Sequence, residues 1–180
     1  MVLETKRLIL RQWEEKDSEE LYKHARDSSV GPIAGWPPHQ SIDESKNIIK
    51  KVLIGDEIFS LCLKSDNKPV GSIEIKLKDK TTLTNKDNEC ELGFWLGSLF
   101  WGKQLMLEAI NEILRHAFED LGMSKVWCGY YDGNINSKRI QEKVGFSYKY
   151  TQIDVDVPLM NEKRVLHVTY IEKNEWDNLL

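Results

Sequence analysis

Apolar residues recur along this chain with two distinct periods, and the order of those periods predicts the architecture. The strongest helical pattern follows Gly102. Leu105, Ala109, Ile113 and Ala117 form one stripe, with Met106, Ile110, Leu114 and Phe118 beside it. That spacing predicts a long amphipathic helix from about Gly102, capped by Gly122. Just before it, Cys90, Leu92, Phe94 and Leu96 alternate with Glu89, Glu91 and Trp95, the period-2 pattern of a strand. Lys125–Tyr131 reads as the next strand. A strand, a helix and a strand in that order form a βαβ unit, so the two strands should run parallel.

The flanking segments complete the pattern. Residues 5–13 read as an opening strand, and Asp17 with Glu20 makes a capping-box pattern for a helix ending near Ala25. Ser41 with Glu44 repeats the pattern, with Ile42, Ile48, Ile49, Val52 and Leu53 expected to be buried and Gly55 at the end. Strands at 58–64 and 70–77 should form an antiparallel hairpin, in which Gly71, Ile73, Ile75 and Leu77 point inward and Ser72, Glu74 and Lys76 outward. Residues 78–88 are polar and expected to be an exposed loop. Asn134 should cap a short helix that Gly145 ends, followed by strands at 146–155 and 164–171. The fold expected is α/β (α+β), a single domain over residues 1–180. It should have a mixed, mostly antiparallel sheet splayed at its central strands and flanked by about four helices.

Composition changes this picture little. The chain has 180 residues, 41% hydrophobic and 30% charged, with a net charge of −4. That suits one soluble α/β domain and does not suggest a nucleic-acid partner. No apolar run approaches the roughly 20 residues of a membrane span, and no signal peptide is visible. Cys62, Cys90 and Cys128 are odd in number and lie in strand-like runs, which points to buried thiols and a cytoplasmic setting. The histidines His24, His39, His116 and His167 show no metal-ligand spacing, so no metal is expected. His116 is expected to be solvated on the polar face of the long helix.

The candidate chemistry sits where the strand passes through a Gly-containing loop into the helix. The first N–H groups of a helix lack intrahelical acceptors, and its dipole favours an anion there. Neither G-x-x-x-x-G-K followed by Ser or Thr nor G-x-G-x-x-G is present. A looser pattern is present: Trp101-Gly102-Lys103-Gln104 followed by Glu108-Ala109, eight residues after Gly93-Phe94. A second follows: Asn134-Ile-Asn-Ser137, then a helix, then Lys143-Val-Gly145-Phe146. Together these resemble the GNAT acetyltransferase superfamily, in the branch that contains ribosomal-protein N-terminal acetyltransferases. The second motif matches at every position and the order of elements covers nearly the full chain. Two positions depart from the family loop: Leu99 stands where Arg or Gln is usual, and Gln104 where a small residue is usual.

The resemblance implies acetyl-coenzyme A as cosubstrate. Backbone groups of Trp95 and Leu96 would hold the pantetheine. The loop and first helical turn at Gly102, Lys103, Gln104, Leu105 and Met106 would hold the phosphates, with Asn134, Ser137 and Lys143 completing the set. Glu91 matches the Glu of the family strand text Glu-Ile-Gly-Tyr and is the candidate general base or ammonium anchor. Glu89 is the second choice, and Glu108 reads as structural. Many members protonate the leaving thiolate with a Tyr four residues after the Ser137 position, but here that residue is Gln141, which is no acid. Ser137 is the candidate in its place, with Tyr130 and Tyr131 as alternatives. Cys128 is disfavoured as a nucleophile. Trp36, on the Gly- and Pro-rich loop, is a candidate substrate contact.

The resulting expectation is an acyl-coenzyme A-dependent N-acetyltransferase acting on a primary amine by direct transfer in a ternary complex. The acceptor could be a protein N-terminus or a small amine. The alternative is a non-catalytic acyl-coenzyme A-binding or regulatory protein, favoured by Gln141 and Gln104 and opposed by Glu91 and Asn134. A homodimer through the terminal strands is left open.

Overall fold

The computed structural model describes residues 1–179. The chain begins with β1 (Leu3–Glu4), β2 (Leu8–Arg11), α1 (Ser18–Ala25), α2 (Gly31–Ala34) and α3 (Ile42–Lys51). The middle holds β3 (Ile58–Leu63), β4 (Pro69–Leu77), β5 (Glu89–Leu96), α4 (Leu105–Arg115) and β6 (Lys125–Tyr131). It closes with α5 (Ile135–Val144), β7 (Ser147–Val157), β8 (Glu162–Glu172) and α6 (Lys173–Asp177). The short helices α2 and α6 raise the expected four to six among the described residues. Two compact units result, one of residues 1–74 with 94–109, the other of 75–93 with the chain from Ile110 onward. In the first the strand order is β1-β2-β3-β4-β5. In the second it is β4-β5-β6-β8-β7, because β4 and β5 run through both. The sheet is mixed and mostly antiparallel.

In the first unit the opening strand is shorter than the expected 5–13, spanning only Leu8–Arg11, and a two-residue strand precedes it. Thr5 N–H bonds the Leu8 carbonyl at 3.0 Å, and Leu8 N–H bonds Thr5 Oγ1 at 2.9 Å. This turn folds β1 back on β2, pairing Leu3 with Leu10. The β3–β4 hairpin forms as its short turn predicts, pairing Phe59 with Ile73. Ser72, expected outward, is buried: it accepts from the Trp13 indole at 3.2 Å and donates to the Phe59 carbonyl at 3.0 Å. Asp17 does not cap α1 with its side chain. Its carboxylate instead takes a two-point bond from Arg11, at 2.7 and 2.9 Å, with both side chains buried. Breaking such a pair leaves a buried charge alone, at about 3–5 kcal/mol.

Ser41 does cap α3, accepting the Glu44 N–H at 3.0 Å. Its apolar stripe is narrower than expected. Ile49 is buried, whereas Ile42 and Val52 are 42% and 57% exposed. The buried line runs through Ser45, four residues before Ile49 and bonded to His39 Nδ1 at 2.8 Å.

Both stripes of α4 and the turn after it are buried over all eight positions. Each fully buried Leu, Ile, Met or Phe contributes about 1.5–3 kcal/mol of transfer free energy, so this helix anchors the core. Beyond Arg115 the helix widens into a π turn at His116–Asp120. His116 is fully buried rather than solvated, with Nδ1 2.8 Å from the Asp120 carboxylate. It lies three residues past Ile113 and seven past Ala109, which places it on the apolar face.

In the second unit β5 and β6 pair in parallel, as the βαβ order requires, from Glu89 with Lys125 to Leu92 with Cys128. β6 then continues alongside β8 as far as Tyr131 paired with Leu166. Residues 78–88 are not simply exposed. Thr81 is buried and donates to Glu91 at 2.6 Å, and Thr84 donates to Glu89 at 2.7 Å. All three cysteines are buried.

Candidate active site

The loop between β5 and α4 is fixed within the first unit by packing that leaves it almost no slack. Gly97 donates to the Val70 carbonyl at 2.8 Å. A Cβ there would lie 2.7 Å from His24 Nδ1, so a side chain cannot enter. The Ser98 hydroxyl donates to Asp27, and Phe100 stands edge-on to His24 at 5.5 Å. Trp101 Nε1 donates to the Leu96 carbonyl at 2.8 Å, closing the loop back onto the strand end. Arg7 donates to the Lys103 carbonyl at 3.0 Å, while Lys103 Nζ lies 5.2 Å from the Phe100 ring.

The helix begins at Leu105, not near Gly102. Gly102 and Gln104 both have positive φ, 74° and 61°, and a Cβ on Gly102 would meet nothing within 4 Å. Gln104 is the residue before the first turn, its carbonyl accepting the first helical bond from Glu108 N–H at 3.1 Å. The N–H groups of Leu105, Met106 and Leu107 therefore precede the ladder, the donor set an anion requires. Glu108 holds the other side of this turn, accepting from Arg7 N–H at 2.6 Å and Arg7 Nε at 2.8 Å, and from the Thr5 hydroxyl. Burial pushes its carboxyl up, but these bonds outweigh that and leave it below its ordinary value. Glu108 is structural, as its sequence position suggests.

At the end of β5, backbones approach closely: a Cβ on Gly71 would lie 2.5 Å from the Trp95 carbonyl. The Trp95 ring stacks on Trp13 at 6.4 Å and meets Trp36 edge-on at 5.8 Å. Trp36 is half-buried and wedged over Gly31, where a Cβ would lie 2.4 Å from its ring. Its packing role is therefore plain.

The second unit holds Glu91, Asn134, Ser137 and Lys143. Glu91 lies on β5 with one oxygen 2.9 Å from Lys76 Nζ and the other accepting from Thr81. Its side chain is 15% exposed. Glu89 is more constrained. Trp127 Nε1 and Thr84 donate to one oxygen at 2.7 Å each, and Lys86 Nζ to the other at 2.9 Å. Burial pushes the Glu89 carboxyl up, yet those three donors carry it below its ordinary value. With its lone pairs so occupied, Glu89 suits a structural post rather than proton transfer. Burial pushes the Cys128 thiol well up, and the Glu91 charge adds to that, so no thiolate is ready there.

Asn134 caps α5 by accepting the Ser137 N–H at 3.1 Å, and Gly145, at φ 104°, ends it. Ser137 is half-buried on the first turn, whereas Lys143 is exposed on the last. Gln141 is the residue that the sequence undervalued. It is 1% exposed, and its amide nitrogen donates to Ser137 Oγ at 2.9 Å and to the Gly129 carbonyl at 3.3 Å. Its amide oxygen accepts from Thr169 at 2.7 Å. The i,i+4 spacing of Ser137 and Gln141 was the available signal. A cavity of about 420 Å³ beside it is lined by Tyr130, Phe146, Tyr148, His167 and Thr169 among others, with Tyr130 stacked on His167 at 5.0 Å.

The residues at the opening of α4 fit an acyl-coenzyme A. N–H donors that precede the helical ladder, a glycine facing open space, and the Lys103 cation suit a pyrophosphate. The family model for the acetyltransferase (GNAT) domain matches residues 7–147. The chain is 23% identical over 149 residues to p20, an uncharacterized N-acetyltransferase of Bacillus licheniformis, covering 80% of this chain and 81% of p20. A GNAT-family acetyltransferase structure from Bacillus anthracis superposes with a TM-score of 0.81 at 21% identity, covering 97% of this chain and 99% of that one. A ribosomal-protein-S5-alanine acetyltransferase from Vibrio fischeri superposes at 0.73 and 15% identity, covering 98% of each chain. With the domain model spanning most of its length and the two motifs in their expected order, the chain belongs to the GNAT acetyltransferase family.

Proposed function

We propose that this protein is an acetyl-coenzyme A-dependent N-acetyltransferase for a primary amine, working as one domain by direct transfer in a ternary complex. The observation that carries the reading is the opening of α4. Three N–H groups precede the helical ladder beside a glycine with empty space in front of it. In a family member, that is where a coenzyme pyrophosphate belongs.

Acetyl-coenzyme A supplies an activated thioester, so the protein need only bind, orient and move protons. Backbone groups of Trp95 and Leu96 hold the pantetheine, and Gly102, Lys103, Gln104, Leu105 and Met106 surround the phosphates. Asn134 and Lys143 contribute from α5. Glu91 takes the proton of the attacking amine, and its Thr81 and Lys76 partners hold the carboxylate in place. Ser137 delivers a proton to the departing sulfur. No helix among the described residues is long and apolar enough to cross a membrane.

One observation favours the non-catalytic reading: both Glu91 oxygens are already engaged. Incubation with acetyl-coenzyme A and a panel of small amines and peptide N-termini, monitored by thiol release, separates the two. Acceptor-dependent release supports the enzyme, and tight binding without any release supports the pure binder.

A further inference from the structure

The network around Gln141 fixes which way the Ser137 hydroxyl points its proton. A backbone carbonyl can only accept, so the end of the Gln141 amide facing the Gly129 carbonyl must be its nitrogen. The Thr169 hydroxyl lies 2.7 Å from the other end, which is then the oxygen and accepts. Both amide N–H groups are thereby committed, one to Gly129 and one to Ser137 Oγ at 2.9 Å. Ser137 is an acceptor from Gln141, and its own O–H is free to donate elsewhere. A buried amide bonded at three points has one orientation available, since flipping it would set two carbonyl oxygens against each other and leave donors unpaired.

We infer that Gln141 is a positioning residue for acetyl transfer, replacing the missing acidic side chain by making the Ser137 hydroxyl a dedicated donor to sulfur. This rests on the acetyltransferase reading above. In the step, the amine nitrogen bonds to the acyl carbon and gives its proton to Glu91. The carbon–sulfur bond breaks, the sulfur takes the Ser137 proton, and the proton held by Glu91 returns through water to Ser137. The N–H from Gln141 stabilises the negative charge that passes through Ser137 Oγ.

The test is steady-state kinetics on the full chain, with acetyl-coenzyme A and the best amine found by thiol release. In Gln141→Glu a carboxylate replaces the N–H donor and draws the Ser137 proton toward itself. The expected result is a fall in kcat of about 10²-fold or more at neutral pH, the range of a lost general acid, with KM for acetyl-coenzyme A little changed. Part of the loss should return at lower pH, as the buried carboxyl protonates and regains a donor. In a Ser137→Ala background the same substitution should have no further effect. Unchanged kcat in Gln141→Glu overturns the inference. So does an equal loss in the Ser137→Ala background, which marks a structural role. If Gln141→Glu does not fold, Gln141→Met removes the donor without adding charge and carries the same expectations except the recovery at lower pH. A parent without transfer to any amine overturns the acetyltransferase reading, and this role with it.

Discussion

The indole N–H of Trp101 donates to the carbonyl of Leu96 at 2.8 Å, so the loop before α4 is tied to the last residue of β5 by a side chain rather than by the backbone. The two segments proposed to hold the pantetheine and the pyrophosphate are thereby fixed to each other. Trp101→Phe keeps most of the ring and removes that donor. Loss of the bond should lower stability by about 0.5–1.5 kcal/mol and weaken acetyl-coenzyme A binding. Thermal unfolding and a binding titration on the same preparation check both; unchanged affinity would show that the tie is not needed for the site.

Gln104 holds a backbone conformation that suits glycine, with φ at 61°. An L-residue in the left-handed region costs roughly 1–2 kcal/mol, while glycine costs about 0.5–1 kcal/mol in chain entropy. Gln104→Gly should therefore raise stability slightly and leave acetyl-coenzyme A affinity unchanged or tighter. A large loss of affinity would show that the Gln104 side chain is itself a ligand.

Glu91→Gln keeps size and a bond to Thr81 but cannot take a proton at neutral pH. Turnover should fall by about 10²–10⁴-fold, with acetyl-coenzyme A affinity nearly intact. Measuring both separates a base from a binding residue, and full activity in Glu91→Gln would remove Glu91 from the mechanism.

What was legible in the sequence was what repeats. The α4 stripes, the parallel β5–β6 pair, and the Asn134 and Gly145 caps follow from local periodicity and local hydrogen bonds, and each lies where expected. Several misreadings come from side chains committed to partners that no local repeat displays. Asp17 reads as a cap until Arg11 takes its carboxylate. Residues 5–13 read as one strand because the turn at Thr5 is held partly by Glu108, about a hundred positions away. The same holds at the site. Glu91 and Asn134 are readable as a motif, whereas Gln141 looked like a lost acid because its partners Gly129 and Thr169 lie on two other strands.

Two histidines, the buried His24 and the half-buried His39, set the neutral-pH flank of stability. Burial holds His24 below its ordinary 6.5, with Lys23 adding to the effect and Glu20 and Asp27 opposing it. Burial likewise lowers His39, against a smaller pull from Glu44. Both are neutral in the fold, so the unfolded chain binds their protons first as pH falls. Stability should be full above pH 6.5 and lost as pH falls through that value toward the lower folded ones. The carboxylates Glu89 and Glu108 are lowered from an ordinary 4.5 and act only further down. Melting curves between pH 8 and 5, on the parent and on His24→Asn, check this. The variant should show the shallower slope, and an equal slope would exclude His24 as a source.

The central claim is that the opening of α4 binds a coenzyme pyrophosphate. The most direct measurement is calorimetric titration of acetyl-coenzyme A into the purified protein at neutral pH. Binding in the micromolar range is the expected result. No heat of binding at millimolar ligand would contradict the account, because the free N–H groups of Leu105, Met106 and Leu107 would then hold nothing.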